Sequence, residues 1–396
     1  GDQFNLLQPL MNFSRGQIAP IRSVTAEVTD EDASIVTRGA HSGVEFETRY
    51  RVSLQHPDQL RVITTLSRTQ SGDRVFVFGD ISLHGERQLS PFTISTASPD
   101  DSSGYSHAFV DADKPLTMVS AIGGGDLQVL VGEASLQPPR SYGLLLHSAK
   151  LIHPDGTTQD LPHLSINSEH FSLLGIFTRP FWAGSRQPAG WFELAQTLFM
   201  NVKNGERVVY DRSVLVGRRA DVASVTDQVW HQAPQVQGSL SDPAATISIY
   251  RESGAPVTTV RPAADGNFSL HLPEGSYRAE VWAPGNRELE LLFSVNQEGT
   301  DLGRIAVPPA AKVLLPQGHP MRLVFVGLEG TPDPAFGDDG RDFQVGERKF
   351  LSALHSNDRS LAGVPGDPTQ LSLAPGQYRV YATRGPEFSV TQALVR

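Results

Sequence analysis

From Val44 to Leu54 the side chains alternate without a break: Val44, Phe46, Thr48, Tyr50, Val52 and Leu54 on one parity, Glu45, Glu47, Arg49, Arg51 and Ser53 on the other. Side chains of an extended chain point alternately to its two faces. The pattern therefore predicts an antiparallel strand with one face on a core and the other in water. Comparable runs fall at 60–66, 74–81, 115–122, 127–131, 142–152, 171–177 and 207–216. Turn chemistry separates several of them: Ser71-Gly72-Asp73, Gly123-Gly124-Gly125-Asp126 and Pro154-Asp155-Gly156. Helical spacing is scarce. One short helix is predicted over 221–230, with Val222, Val225, Val229 and Trp230 on one stripe and Asp221 as its cap.

So many strands at regular spacing predict an all-β chain that opens with a large sandwich of two sheets. Composition agrees: 36 Gly and 28 Pro punctuate 396 residues, and charged residues make up 19% against a usual ~25%. That profile excludes a coiled coil, a helical bundle and a disordered chain. No apolar run reaches the ~18 residues of a membrane-spanning helix. Beyond Gln232-Ala233-Pro234-Gln235, which reads as a linker, the strands shorten; Val307-Pro308-Pro309-Ala310 marks a second boundary because consecutive prolines interrupt a ladder. Three β domains in series are expected, over 1–232, 233–309 and 310–396. An internal repeat supports the last two. Leu272-Pro273-Glu274-Gly275-Ser276-Tyr277-Arg278 recurs as Leu373-Ala374-Pro375-Gly376-Gln377-Tyr378-Arg379. In each copy the Gly is expected at a positive-φ turn position, and the Tyr at a strand start with its ring inward and its hydroxyl on backbone, as in a tyrosine corner.

Lys and Arg number 33 against 43 Asp and Glu, a formal charge of −10, with no basic stripe for a nucleic acid. Cysteine is absent, which removes disulfides, thiolate metal sites and a cysteine nucleophile. The first residue is Gly1, read as a leftover of expression that follows a removed signal peptide; a periplasmic or extracellular location is expected. Nothing matches a phosphate loop, a GxSxG elbow, an HExxH motif or a His-x-His pair, so neither a catalytic residue nor a cofactor is expected. Gly123-Gly124-Gly125-Asp126 lies between strand-like runs and reads as a loop, and Glu169-His170 as a surface pair.

Three weaker candidates remain. Asp338, Asp339 and Asp342 group the hard oxygens calcium prefers, although the later bidentate Glu of an EF-hand loop is missing, Arg341 sits among them, and a solvated turn is the simpler reading. Phe181, Trp182 and Trp191 crowd a Gly- and Pro-rich stretch; they either plug the end of the first sandwich or stack on sugar rings. Arg384 and Glu387 flank Gly385-Pro386, forming either a local ion pair or a contact with a further domain.

Two segments resemble known families. Gly266-Asn267-Phe268 with Leu272-Pro273-Glu274-Gly275-Ser276-Tyr277 resembles the carboxypeptidase regulatory-like domain, which implies a structural immunoglobulin- or prealbumin-like sandwich. Gly330-Thr331-Pro332-Asp333-Pro334 and the run from Pro375 to Phe388 resemble the segment before the catalytic domain of large bacterial carbaryl-hydrolase-type metallohydrolases with a polymerase-and-histidinol-phosphatase domain. The first 230 residues are similar to the amino-terminal region of those enzymes, a galactose-mutarotase-like supersandwich whose closing strand 206–217 fits. The resemblance implies a non-catalytic accessory or ligand-binding region preceding a metal-dependent hydrolase domain of the same gene product. The His-x-His ligands of that domain are not in this sequence. Two other functions stay open: a carbohydrate-binding protein using the large sandwich, and a mutarotase- or lyase-like enzyme.

Overall fold

The computed structural model describes residues 3–5, 21–41, 43–69, 75–76, 79–83, 89–102, 104–105, 121–123, 125–132, 139–167, 171–176, 199–200, 202–283, 287–314, 321–334, 353–356, 370–384 and 387–396. The fold is all-β, with a single short α-helix among the described residues. It divides into two compact units, Gly1–Val229 with Ser253–Thr258, and Trp230–Glu252 with Thr259–Arg396.

A ten-stranded sheet dominates the first unit. Its order runs Ile21–Val28, Asp32–His41, Val44–Ser53, Gln59–Arg68, Arg207–Gly217, Ser141–Ile152, Leu127–Gly132, Leu89–Ile94 and Gly104–Tyr105, with Thr158–Asp160 beside Ser141–Ile152. A five-stranded sheet faces it, ordered Gln3–Asn5, Gly79–Leu83, Phe171–Ile176, His163–Asn167 and Ala121–Gly123. Val44, Phe46, Leu66, Val208 and Tyr210 of the large sheet meet Leu174 and Ile176 of the small one in a shared core. The alternation at Val44 holds as expected as far as Tyr50, then loses its cover. Val52 is 38% and Leu54 73% exposed on the same parity that buries Val44 and Phe46.

A deeply buried charge sits on the core parity. Arg212 lies between Tyr210 and Val214 on its strand and is fully buried. Its guanidinium forks onto Asp80 of the facing sheet, Nε to Oδ2 at 2.6 Å and Nη2 to Oδ1 at 3.1 Å. Nη1 donates to the Thr64 hydroxyl at 2.8 Å and to the Val62 and Tyr210 carbonyls at 3.2 Å. The Tyr210 hydroxyl crosses to the Leu174 carbonyl at 3.0 Å. Burial, with the Asp80 charge adding to it, pushes the Tyr210 phenol well above its ordinary range.

The helix spans Ala223–Val229, shorter at its start than its sequence pattern suggests, and Asp221 Oδ1 caps it by accepting from Ser224 N at 2.8 Å. Val225 packs onto the large sheet where Gly143 lacks a side chain; a Cβ there would lie 2.4 Å from Val225.

Beyond Val229, among the described residues, strands up to Ile305 pair only with one another, and so do strands from Ala311 onward. The first group contains a three-stranded sheet, Asn267–His271, Gln235–Leu240 and Thr300–Ile305, and a four-stranded one, Pro256–Val260, Thr246–Arg251, Gly275–Ala283 and Arg287–Val295. The second group contains the pair Ala311–Leu314 and Gln370–Leu373, and the sheet Ala353–Ser356, Met321–Leu328, Gln377–Thr383 and Thr391–Val395. The repeated motif makes the same corner twice. Tyr277 donates its hydroxyl to the Pro273 carbonyl at 2.6 Å, and Tyr378 to the Ala374 carbonyl at 2.7 Å; both rings are buried. The two glycines differ. Gly275 has φ +144°, the positive-φ role expected, whereas at Gly376 a Cβ would come within 2.4 Å of the Thr331 side chain, so close approach is what that position requires.

Two predictions follow from these interactions. Asp80→Ala leaves the Arg212 charge buried without its partner and should cost about 3–5 kcal/mol in urea unfolding; Asp80→Leu with Arg212→Met should recover most of it. Tyr277→Phe and Tyr378→Phe should each cost about 1 kcal/mol; a change near zero in either would mean that its corner bond contributes nothing.

Candidate functional site

The wet parity of the Val44–Ser53 strand lies on the face of the large sheet that turns away from the core. Register builds that face row by row. Ala40, Glu45, Ser67 and Arg207 stand side by side on four consecutive strands, and Arg38, Glu47 and Thr65 form the next row. An irregularity in pairing at Arg22, between Ile21 and Ser23, adds that side chain at the sheet edge. Together these residues line a groove of about 550 Å³. Arg38 Nε holds Glu47 Oε2 at 2.7 Å and fixes both side chains along one wall. Arg207 and Glu45 are exposed and make no ion pair among the described residues. The groove thus offers a forked cation, a carboxylate and two hydroxyls within two rows of one sheet. This set both donates to and accepts from a hydroxyl-rich ligand, and it orients a carboxylate by the planar Arg fork.

A second polar group lies further along the same face. Arg61 grips Asp211 with two bonds, Nε to Oδ1 at 3.0 Å and Nη2 to Oδ2 at 2.6 Å, which with the added charge raises the Arg61 pKa. His147 Nε2 meets the fully buried Ser213 hydroxyl at 2.7 Å, and Gln59 donates to that hydroxyl at 2.8 Å. His147 as a whole is exposed, yet its ring tip rests on the packed sheet. Desolvation there lowers its pKa, against the opposing pull of Asp211. A serine beside a histidine suggests a nucleophile, but Ser213 has no exposed surface for a substrate to reach. The group ties three strands together.

Phe181, Trp182 and Trp191 lie outside the described residues, as do Asp338, Asp339, Asp342 and the Glu169-His170 pair. Among the described residues no group of three or more metal-ligating side chains occurs, and no helix is long and apolar enough to cross a membrane. Arg384 and Glu387 are both exposed; the Arg384 guanidinium sits 5.2 Å from the centre of the Phe388 ring, and no ion pair joins it to Glu387. Asp126, at the end of the glycine run, accepts from Thr96 N at 2.6 Å and from the Thr96 hydroxyl at 2.5 Å, which suits a loop. Sequence reasoning placed Glu45 and Glu47 on the wet face but missed the groove. The rows arise from strand register, which joins residues up to 167 positions apart (207 less 40), as with Ala40 and Arg207.

No family model matches the sequence, and no curated protein matches it. Among solved structures the chain is similar to the Slr1438 protein of Synechocystis sp. PCC 6803, at 11% identity and a TM-score of 0.30 over 52% of this chain and 68% of that one. It is similar to a galactose mutarotase related enzyme of Lactobacillus acidophilus, at 12% identity and a TM-score of 0.24 over 52% of this chain and 72% of that one. A DUF3823 family protein of Bacteroides ovatus is similar at 13% identity and a TM-score of 0.16, over 40% of this chain and 96% of that one. All three likenesses are distant.

The lowered pKa of His147 has a consequence for stability. Below the ordinary histidine value of about 6.5 the unfolded chain takes up a proton that the folded chain resists, so stability falls as pH falls. Between about pH 7 and about pH 5 the melting temperature of the wild type should therefore drop more steeply than that of His147→Gln. Parallel curves would remove the assignment.

Proposed function

We propose that the chain is a non-catalytic binding region of a larger bacterial protein, and that the groove on its large sheet takes up a saccharide bearing a carboxylate. The observation that carries this is the row Glu45, Ser67 and Arg207, with Thr65 beside it, open to solvent in a groove of about 550 Å³. Arg207 would fork the carboxylate, while Ser67, Thr65 and Glu45 would exchange hydrogen bonds with ring hydroxyls. A groove of that size accommodates a ligand of two or three sugar rings. The function is binding, because Glu47 is already committed to Arg38 and the nearby histidine is directed onto a buried hydroxyl.

The resemblance of the motifs at 330–334 and 375–388 supports the wider setting, an exported protein in which this region precedes a metal-dependent hydrolase domain. A His-x-His pair encoded beyond Arg396 is the expected finding in the full gene; a gene that encodes no such domain removes this part of the proposal.

Calorimetric titration tests the groove. Oligosaccharides of hexuronic acids should bind, and neutral oligosaccharides of equal length should bind more weakly. Arg207→Ala should reduce the uronate affinity by roughly 10- to 100-fold, the worth of a charge-assisted hydrogen bond, with unfolding unchanged because the side chain is exposed. Equal affinity for both sugar classes, or an Arg207→Ala chain that binds like the wild type, overturns the assignment.

A further inference from the structure

The Ile21–Val28 strand ends the ten-stranded sheet. Asp32–His41 pairs with one side of it, and among the described residues nothing pairs with the other. All eight of its residues are exposed. A free edge presents a row of unpaired N–H and C=O groups, which proteins usually blunt with a short strand, a lysine, a proline or a bulge. This edge is eight residues long, has no lysine or proline, and carries its bulge only at Arg22, near its start; it reads Ile-Arg-Ser-Val-Thr-Ala-Glu-Val, rich in strand formers. Its core-parity side chains are apolar and open. Val24 is 62% and Val28 79% exposed, and the same face continues through Ile35 on the neighbouring strand to Val52.

We propose that this edge pairs antiparallel with the same edge of a second copy of the chain, about a twofold axis at Thr25. Residues opposite one another in a sheet share a face, so that register sets Val24 against Ala26 of the second copy and Ser23 against its Glu27. The extra residue at Arg22, visible where Ile21 pairs with Gly39 and Ser23 with Arg38, has two effects. It puts Arg22 beside Ser23, within reach of the second copy's Glu27, and it returns Ile21 to the face of the second copy's Val28. Twofold symmetry makes each of these pairs twice. The edge is therefore complementary to itself in charge and in apolar contact, as an isologous interface requires. A parallel pairing would instead set Arg22 on Arg22 and Glu27 on Glu27. Within its own chain Glu27 already accepts from Arg49 Nη1 at 2.9 Å, and its carboxylate has lone pairs left for a second guanidinium.

Sedimentation of the full chain tests this. The wild type should run at twice the chain mass, and Val24→Lys should run as a monomer with an unchanged circular dichroism spectrum, since Val24 is mostly exposed in the single chain. Arg22→Glu and Glu27→Arg should each weaken the dimer by roughly tenfold or more, and the double exchange R22E/E27R should restore it. Because Arg22 also borders the groove, mass rather than saccharide binding is the readout. A wild-type chain that stays monomeric as its concentration is raised overturns the proposal. So does a dimer indifferent to Val24→Lys, or one that the double exchange fails to rescue.

Discussion

Arg212 and Asp80 are each 1% exposed, one on either sheet of the first unit, and removing both charges from water costs several kcal/mol per ion before any return. The return comes from completeness. The Asp80 carboxylate takes two forked bonds, and the remaining guanidinium nitrogen finds the Thr64 hydroxyl and two carbonyls. Tyr210 adds a face to the cation, 4.5 Å from its ring centre, and a hydroxyl that reaches the opposite sheet. Such a network stabilises only in one arrangement of the two sheets. Sliding the Arg207–Gly217 strand by one residue would carry Arg212 to the wet face and leave Asp80 alone. The ion pair thus acts on register more than on net stability.

Register is also what makes the groove. The alternation that sends Val208, Tyr210 and Arg212 inward sends Arg207 outward, opposite Ser67, which in turn stands opposite Glu45. A strand pinned from its buried side therefore positions the polar side chains on its other side without any further contact among them. Local pairing does the rest: the Arg38–Glu47 bridge and the two hydrogen bonds from Arg61 to Asp211 brace the outer face. The first is nearly half solvent-exposed and contributes little to stability, so its effect is orientation.

Alternation and turn residues made the strands at 44–53, 59–68, 127–132, 141–152 and 207–217 legible, and the repeated L-x-x-G-x-Y motif foretold both tyrosine corners. Ile21–Val28 and Asp32–His41 escaped notice for a physical reason. Ile21–Val28, at the end of the sheet, buries nothing on either face, so Arg22, Ser23 and Glu27 mix with Val24 and Val28 without a clean apolar parity; Asp32–His41 buries side chains of both parities, Ser34 and Val36 on one and Thr37 on the other, so it shows no alternation either. Arg212 carried a readable signal, a charge on the apolar parity of an otherwise oily strand, where only an internal partner permits ionisation. Its partner could not be read, because Asp80 lies 132 positions away. The groove was hidden in the same way: its chemistry is distributed over strands that only the folded ladder brings together.

The unequal widths of the two sheets connect the open edge to the core. A five-stranded layer cannot cover a ten-stranded one, and the shortfall shows at Val24, Val28, Ile35 and Val52, which stay open. Along Val44–Ser53 the transition is visible within one strand: Val44 and Phe46 are buried under the facing layer, Thr48 bonds Thr64 inside it, and Val52 on the same parity is open. The core face beyond Tyr50 keeps its apolar character although Val52 and Leu54 stay open to water. Water contact with Val24, Val28, Ile35 and Val52 costs about 25 cal/mol for each Å² left uncovered, a standing drive toward any surface that continues the sheet. A second edge of the same sequence continues it with its own valines in step. It also supplies an arginine where each glutamate stands, so the width that the small sheet fails to match becomes the means of association.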